Sequence, residues 1–233
     1  MRFEHPSVLM IEAVVKALGD LKDDVVFVGG STVPFYIEDE GATEPRPTKD
    51  VDCIIELVNY SEYGRLESKL REKGFVNSQE PGDPICRWKI SGVTVDVMPT
   101  DENIIGFSNK WYKEGMKEAG EVRLPSGTVI KIFTPAYFVA SKFEAYLGRG
   151  TGDFRLSHDI EDVMTLLDGI LDFDSIQNAP ETVHSYLRKK VSEFLEEDTF
   201  LECISSHLEP GPSNSERAKR ILSFFETMSL ALQ

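Results

Sequence analysis

The segment Asp50–Ile55 constrains the fold more than any other, because it places two aspartates in a run of strand-forming residues. Side chains alternate along a strand, so Asp50 and Asp52 share one face while Val51 and Cys53 lie on the other. Two carboxylates held this close repel each other and are best stabilised by a cation between them, most simply a divalent metal ion. The segment therefore predicts a sheet with one polar face and indicates a metal-dependent enzyme.

Strands and helices alternate around this segment up to residue 134. Apolar residues at helical spacing predict helices, apolar runs predict strands, and glycine-containing turns indicate two hairpins. The predicted elements are helix 8–18, strand 25–28, a helix after Gly29-Gly30, strand 50–56, helix 61–73 and hairpin strands at 85–90, 93–98, 121–124 and 128–133. The pattern favours a mixed β-sheet with flanking helices, an α/β (α+β) fold.

The pattern becomes entirely helical from Pro135 onward. Apolar spacing predicts helices at 136–147, 156–167, 180–195 and 215–230, with breaks at Gly148-Arg149-Gly150 and Pro210-Gly211-Pro212. We therefore predict an α/β domain over residues 1–134 and a C-terminal helical domain over residues 135–233.

Charge and apolar content disfavour several classes of protein. The formal net charge of −15 argues against a broad nucleic-acid surface, since such surfaces depend on many Lys and Arg contacts to phosphate. No apolar run reaches the roughly 18 residues of a membrane span, and no signal-peptide core is visible, so we expect a cytoplasmic protein with no membrane partner. Cys53, Cys86 and Cys203 are widely spaced and odd in number, which predicts reduced packing residues.

Two further motifs extend the chemistry of the aspartate pair. Asp96 interrupts the β-branched run Val93–Met98, and by itself it fits the solvent-facing side of a strand equally well. If its strand neighbours Asp50–Ile55, three carboxylates converge and supply the oxygen ligands that Mg²⁺ prefers. Gly29-Gly30-Ser31 follows a predicted strand, where the absent Cβ atoms and the N–H groups of a helix N-terminus would suit an approaching phosphate.

The order of these motifs resembles the nucleotidyltransferase superfamily of the DNA polymerase β type, and within it the AbiEii-like and related toxin-type small enzymes. The resemblance covers about the first 100 residues. It implies that Gly29, Gly30 and Ser31 contact a nucleoside triphosphate such as ATP. It also implies that Asp50 and Asp52 hold Mg²⁺, or Mn²⁺ in its place, and that Asp96 completes the catalytic metal site. Asp96 is the candidate to orient or deprotonate an acceptor hydroxyl.

The resemblance extends more weakly into the helical half. Lys142 resembles the lysine that follows the core in AbiEii-like enzymes, which implies a contact with phosphate oxygens, and Asp159 resembles an aspartate that supports the site. An exposed lysine and a helix-capping aspartate are the alternative for these two residues. The resemblance implies that the α/β domain is catalytic and that the helical domain completes the nucleotide or acceptor site.

Residues 38–47 lengthen the interval between Gly30 and Asp50 beyond the usual superfamily pattern. We predict that this insertion forms a flexible loop near the site. Arg46 and Thr48 resemble polar residues that precede the aspartates in AbiEii-like proteins, so both are candidate supporting residues.

These features lead to one principal hypothesis and two alternatives. In the first, the enzyme transfers a nucleotidyl group from a triphosphate to a hydroxyl of tRNA or protein and releases pyrophosphate, with an antitoxin protein as the partner of a toxin-type enzyme. In the second, the acceptor is a small molecule of the aminoglycoside kind, which would suit an acidic chain. In the third, the chain is a non-catalytic member that binds a nucleotide or a protein. The sequence leaves the preferred triphosphate, the acceptor and the oligomeric state open.

Overall fold

The computed structural model describes residues 3–150 and 152–230 of the chain. Its strands are β1 (Val25–Val28), β2 (Asp50–Ile55), β3 (Val76–Asn77), β4 (Arg87–Ile90), β5 (Val93–Pro99), β6 (Gly120–Arg123) and β7 (Val129–Ile132). The α-helices of the described residues are α1 (Pro6–Leu18), α2 (Tyr60–Glu72), α3 (Glu102–Ile105), α4 (Tyr112–Lys117), α5 (Pro135–Arg149), α6 (His158–Gly169), α7 (Asp174–Gln177), α8 (Glu181–Phe194), α9 (Asp198–Ser206) and α10 (Asn214–Leu230). These elements confirm the predicted mixed α/β fold with helices after the last strand.

The strands form one mixed sheet in the order β3-β4-β5-β2-β1-β7-β6. The β2–β5 and β1–β7 pairs are parallel, and the other neighbouring pairs are antiparallel. The parallel pairing of β2 with β5 places Asp52 directly opposite Asp96. The sheet therefore brings together the two acidic strands that are separated in sequence by α2, β3 and β4.

The two faces of the sheet have different neighbours. Arg71 of α2 stacks over the buried ring of Trp88 on β4, with 5.4 Å from the guanidinium carbon to the ring centroid. Side chains alternate along β4, so Arg87 projects from the face opposite Trp88. Asp96 lies across from Arg87 in the β4–β5 register and shares that face. The carboxylates are thus on the side of the sheet that α2 leaves uncovered.

One predicted element differs in type. The residues after Gly29 form a short 3₁₀-helix, Gly30–Phe35, where we expected the first turns of an α-helix. Pro34 has no N–H to donate within that segment, so an α-helical hydrogen-bond ladder cannot be continued through it. The N-terminal dipole of a long helix is therefore not available at Gly29-Gly30-Ser31.

Contacts divide the chain into two compact units. The sheet unit contains the chain up to Phe35 together with Pro47–Phe133, and the helical unit contains Tyr36–Arg46 together with the chain from Thr134 onward. The division at Thr134 lies next to the predicted domain boundary. The assignment of Tyr36–Arg46 to the helical unit was not predicted, because its partners lie more than a hundred residues further along the chain.

No helix within residues 3–150 and 152–230 combines the length and the apolar character that crossing a membrane requires.

Candidate active site

Three carboxylates converge on one face of the sheet unit. Asp50 and Asp52 of β2 and Asp96 of β5 each offer a carboxylate oxygen, and the three oxygens lie within 4.8 Å of one another. The parallel register explains this closeness, since it sets Asp52 opposite Asp96 and Asp50 opposite Thr94. We call Asp50, Asp52 and Asp96 the carboxylate cluster. Three hard oxygen donors at this spacing are a donor set that fits Mg²⁺ or Mn²⁺.

The cluster is only partly open to solvent. The side chain of Asp96 is 10% exposed and that of Asp50 is 37% exposed. Water therefore screens the mutual repulsion of these carboxylates less than it would on an open surface.

Gly29 lies against the cluster. Its φ of +75° is a conformation that L side chains rarely adopt. A Cβ atom on Gly29 would lie 3.0 Å from the Cγ of Asp52 and would overlap the Asp52 carboxylate oxygen. The antiparallel register that pairs Val28 with Asp52 brings the turn to this position. Glycine is required here because the carboxylate occupies the space of a side chain.

The rest of the predicted phosphate turn is tightly packed. Gly30 and Ser31 are buried, and the Thr32 backbone N–H and side-chain hydroxyl both donate to the Gly29 carbonyl, at 3.1 and 2.8 Å. Among the described residues, the Ser31 Oγ has no hydrogen-bond partner although it is buried. A buried hydroxyl normally has such a partner, so Ser31 offers a polar atom that can still form a hydrogen bond in the Gly29-Gly30-Ser31 turn.

Arg87 is the site residue that sequence reasoning missed. Its Nε and Nη2 donate to the two oxygens of Asp96 at 2.9 and 2.7 Å, and Nη2 lies 3.6 Å from the Asp50 Oδ2. The hydrogen bonds that Arg87 donates to Asp96 raise the pKa of Arg87 above its ordinary value. A signal was available, because the β4–β5 hairpin with its two-residue turn at Ser91-Gly92 places Arg87 directly across from Asp96.

Two buried thiols border the cluster. Burial, together with the charges of Asp52 and Asp96, raises the pKa of Cys53 well above its ordinary value. Burial also raises the pKa of Cys86 to about 12, with Asp96 contributing. Both thiols therefore stay protonated at neutral pH, in keeping with the predicted packing role.

Lys142 and Asp159, which we predicted as site residues, lie in a buried charge network of the helical unit. The Lys142 Nζ donates to Asp162 at 2.6 Å and to Asp159 at 3.1 Å. Arg46 donates to both oxygens of Asp162 at 2.9 and 3.1 Å, and Arg149 lies 3.1 Å from Asp159. Lys142 is thus not the exposed lysine of our alternative, and the helix cap before Asp159 is Ser157.

The predicted loop 38–47 is bonded to the helices for much of its length. The backbone N–H groups of Glu38 and Asp39 donate to the Gly169 carbonyl, and the Thr43 N–H and hydroxyl donate to Asp168 at 2.7 and 2.8 Å. Arg217 donates to both Asp39 and Asp168. Thr48, in the sheet unit, donates its hydroxyl hydrogen to the Asp50 carbonyl at 3.2 Å and lies 3.3 Å from the Ser7 hydroxyl.

A separate cleft opens at the other end of β2. It has a volume of about 490 Å³ and includes Leu21, Ile55, Glu56, Arg65 and Met116 in its lining. None of the three cluster aspartates lines it. The candidate active site is therefore identified by its donor groups and not by its concavity.

Comparisons with known proteins add little to this geometry. No protein-family model matches the chain, and no curated protein matches it. Among solved structures, the chain is similar to the antibiotic-resistance factor ANT(2'')-Ia at 15% sequence identity and a TM-score of 0.45, over 81% of this chain and 95% of that one. A similarity of this size assigns no function, so the functional argument rests on the residues themselves.

Proposed function

We propose that this chain is a divalent-ion-dependent nucleotidyltransferase that moves a nucleotidyl group from a nucleoside triphosphate to an acceptor hydroxyl. The observation that carries the proposal is the carboxylate cluster on neighbouring parallel strands, with Gly29 packed against Asp52 at the start of the Gly29-Gly30-Ser31 turn. This arrangement joins a cation-binding donor set to a backbone turn that a phosphate can approach.

Asp50, Asp52 and Asp96 are the residues that would hold Mg²⁺ or Mn²⁺. When bound, the ion supplies neutralisation of the charge on the triphosphate and on the leaving pyrophosphate. The contribution of the chain is to fix the oxygen donors through the β2–β5 register, so that little rearrangement is needed when the substrate arrives.

The acceptor oxygen forms the new bond to the α-phosphorus, and the bond from that phosphorus to the bridging β-phosphate oxygen breaks. Pyrophosphate leaves with the bonding electron pair. Asp96 orients the acceptor hydroxyl and takes up its proton at a carboxylate oxygen. Gly29, Gly30 and Ser31 would contact the triphosphate through this turn, whose backbone lies against Asp52 because Gly29 has no Cβ, and the Ser31 hydroxyl lacks a partner among the described residues.

The supporting residues keep their predicted assignments as parts of this proposal. A contact between Lys142 and phosphate requires that its amine leave one of the carboxylates, Asp159 or Asp162, that now accept from it. Asp159 would support the site by binding the Lys142 amine until a phosphate is present. Arg46 and Thr48 would act by positioning, since the first is bound to Asp162 and the second to the backbone of Asp50.

The acceptor is proposed from charge and resemblance. The AbiEii-like resemblance favours a toxin-type enzyme that uses ATP or another triphosphate, modifies tRNA or protein and is matched by an antitoxin. The net charge of −15 instead favours a cationic small molecule, because an acidic surface attracts cations and repels nucleic acid. The three buried free cysteines fit the predicted cytoplasmic location.

The test is transfer of label from each α-labelled triphosphate in the presence of Mg²⁺ and a cell extract. Separation of labelled RNA, protein and small molecules then identifies the acceptor class. We expect Asp52→Asn to lose transfer by at least about 100-fold while keeping its fold, since it removes a charge from the cluster. Glu56→Gln is the matched control, because it makes the same change directly after β2 at an exposed position. Transfer at the wild-type rate by Asp52→Asn would refute the proposal, and binding of triphosphate without turnover would favour a non-catalytic protein.

A further inference from the structure

We propose that Arg87 is the resident counter-cation of the carboxylate cluster. In this role it competes with a divalent ion for Asp96 and keeps the cluster assembled when no ion is bound. The inference deepens the proposed function and rests on it, because it takes the cluster to be a divalent-ion site.

The contacts of Arg87 cover the cluster from one side. Its guanidinium forms a two-pronged pair with Asp96, with N–O distances of 2.9 and 2.7 Å, and the same Nη2 atom lies 3.6 Å from Asp50. Two members of the cluster therefore face one monovalent cation. Any ion that coordinates the free edge of the Asp96 carboxylate adds a second positive centre a few ångströms from the first.

The cluster needs such a cation for electrostatic reasons. Three carboxylates with oxygens within 4.8 Å of one another repel strongly, and the Asp96 side chain is only 10% exposed, which limits screening by water. The β2–β5 register prevents the strands from moving apart to relieve this repulsion. A fixed guanidinium supplies the compensation that water cannot.

Asp83 gives Arg87 a second anchor. The Arg87 Nη1 donates to Asp83 at 3.1 Å, and Asp83 in turn accepts a hydrogen bond from the Ser78 hydroxyl. Arg87 can therefore loosen its hold on Asp96 and remain paired. This makes the exchange of Arg87 for a divalent ion at Asp96 a local rearrangement.

Lys89 offers a comparison on the same strand. It lies two residues further along β4, and its amine pairs with Glu80, which is outside the cluster. Removing Lys89 changes the net charge of the chain by the same amount as removing Arg87, and it does so from the same strand. Lys89→Met is therefore a matched control for Arg87→Met.

The experiment measures Mn²⁺ binding by titration calorimetry and thermal unfolding in the presence of a chelator, using the full chain without nucleotide. In Arg87→Met we expect Mn²⁺ to bind on the order of tenfold more tightly, because the competing cation is gone. We expect the midpoint temperature of thermal unfolding in the chelator to fall, because the repulsion between the carboxylates is then uncompensated. Lys89→Met should show neither change. Arg87→Lys keeps the charge without the fork and should lie between wild type and Arg87→Met.

Mn²⁺ binding to Arg87→Met that is no tighter than to wild type would overturn the inference. If Arg87→Met does not fold, Arg87→Lys carries the test, and unchanged binding in that variant has the same meaning. Asp52→Asn identifies the binding that belongs to the cluster. If wild type shows no Mn²⁺ binding that Asp52→Asn removes, the proposed function falls together with the inference, whereas normal wild-type binding with no gain in the Arg87 variants refutes the inference alone.

Discussion

Substitution of Gly29 by alanine should inactivate the protein through Asp52. Two effects add in Gly29→Ala. The first is backbone strain, since an L residue at φ +75° loses about 1–2 kcal/mol of stability. The second is collision, because the new Cβ would lie 3.0 Å from the Asp52 Cγ and would overlap a carboxylate oxygen. Restoring a normal separation moves that carboxylate by roughly 1 Å.

The displacement has separate effects on stability and on catalysis. Forcing Asp52 off its rotamer adds about 0.5–1.5 kcal/mol to the loss of stability. A misplacement of about 1 Å in a catalytic group reduces the rate on the order of 100-fold. We therefore expect Gly29→Ala to lose about 1.5–3.5 kcal/mol of unfolding free energy and on the order of 100-fold in transfer rate.

Gly127→Ala separates strain from collision. Gly127 lies in the β6–β7 turn with φ +85°, and a Cβ there would have no neighbour among the described residues within 4 Å. This variant should lose only the strain energy of about 1–2 kcal/mol and should keep its transfer rate. Urea unfolding and the labelled-triphosphate assay, run on both variants, give the comparison. Equal transfer rates in Gly29→Ala and Gly127→Ala would refute the reasoning, because the contact with Asp52 would then have no catalytic consequence.

The helical unit yields two further predictions. Lys142→Met leaves Asp162 with Arg46 and Asp159 with Arg149 but removes the amine between them, and it should lower the unfolding free energy by about 2–3 kcal/mol in urea unfolding at pH 8, less than for a wholly uncompensated charge. Burial lowers the pKa of Lys142, but the charges of Asp162 and Asp159 more than offset this, so the pKa is raised above its ordinary value of 10.5. The stabilisation from the charged amine is therefore complete below pH 10.5 and is lost as the pH rises through the raised pKa. Above that pH the unfolding free energies of wild type and Lys142→Met should converge. A difference that persists unchanged above that pH would mean that packing, not charge, holds Lys142. Arg217→Met removes the cation from the fully buried Asp168 and should lower the unfolding free energy by about 3 kcal/mol. Lys219→Met, on the same helix, should change it by less than about 0.5 kcal/mol. Equal losses in the two variants would contradict the role of Arg217 as the counter-charge of Asp168.

Local patterns explain why much of the sheet and the cluster could be predicted. Val25–Val28 is a strand with the predicted bounds, and β2 ends within one residue of its prediction. Alternation in β2 and the apolar neighbours of Asp96 were sufficient to predict strands with the three aspartates in them. The convergence of the three aspartates depends on the pairing of β2 with β5. From the sequence this pairing was only an assumption, and the structure shows it.

The features that escaped prediction depend on distant partners or on short segments. Arg87 acquires its role from the β4–β5 register, and the carboxylate that binds the predicted supporting residue Arg46 lies in α6. The helices α3, α4, α7 and α9 and the strand β3 were missed because segments of two to nine residues show too little periodicity to be recognised. The short 3₁₀-helix after Gly29 shows how one proline can change the type of an element without changing its place.

The path of the chain through Tyr36–Arg46 affects how the protein can be made. A fragment that stops near Thr134 would retain every strand that the structure describes. Its Thr43 and Asp39 would lack the Asp168 and Arg217 that they bind across separations of 125 and 178 residues. During synthesis, the segment Tyr36–Arg46 thus cannot form all of its hydrogen bonds until α10 has left the ribosome. Such late, long-range contacts slow folding. We therefore expect the nascent chain to depend on chaperones until the C-terminal helices have been synthesised.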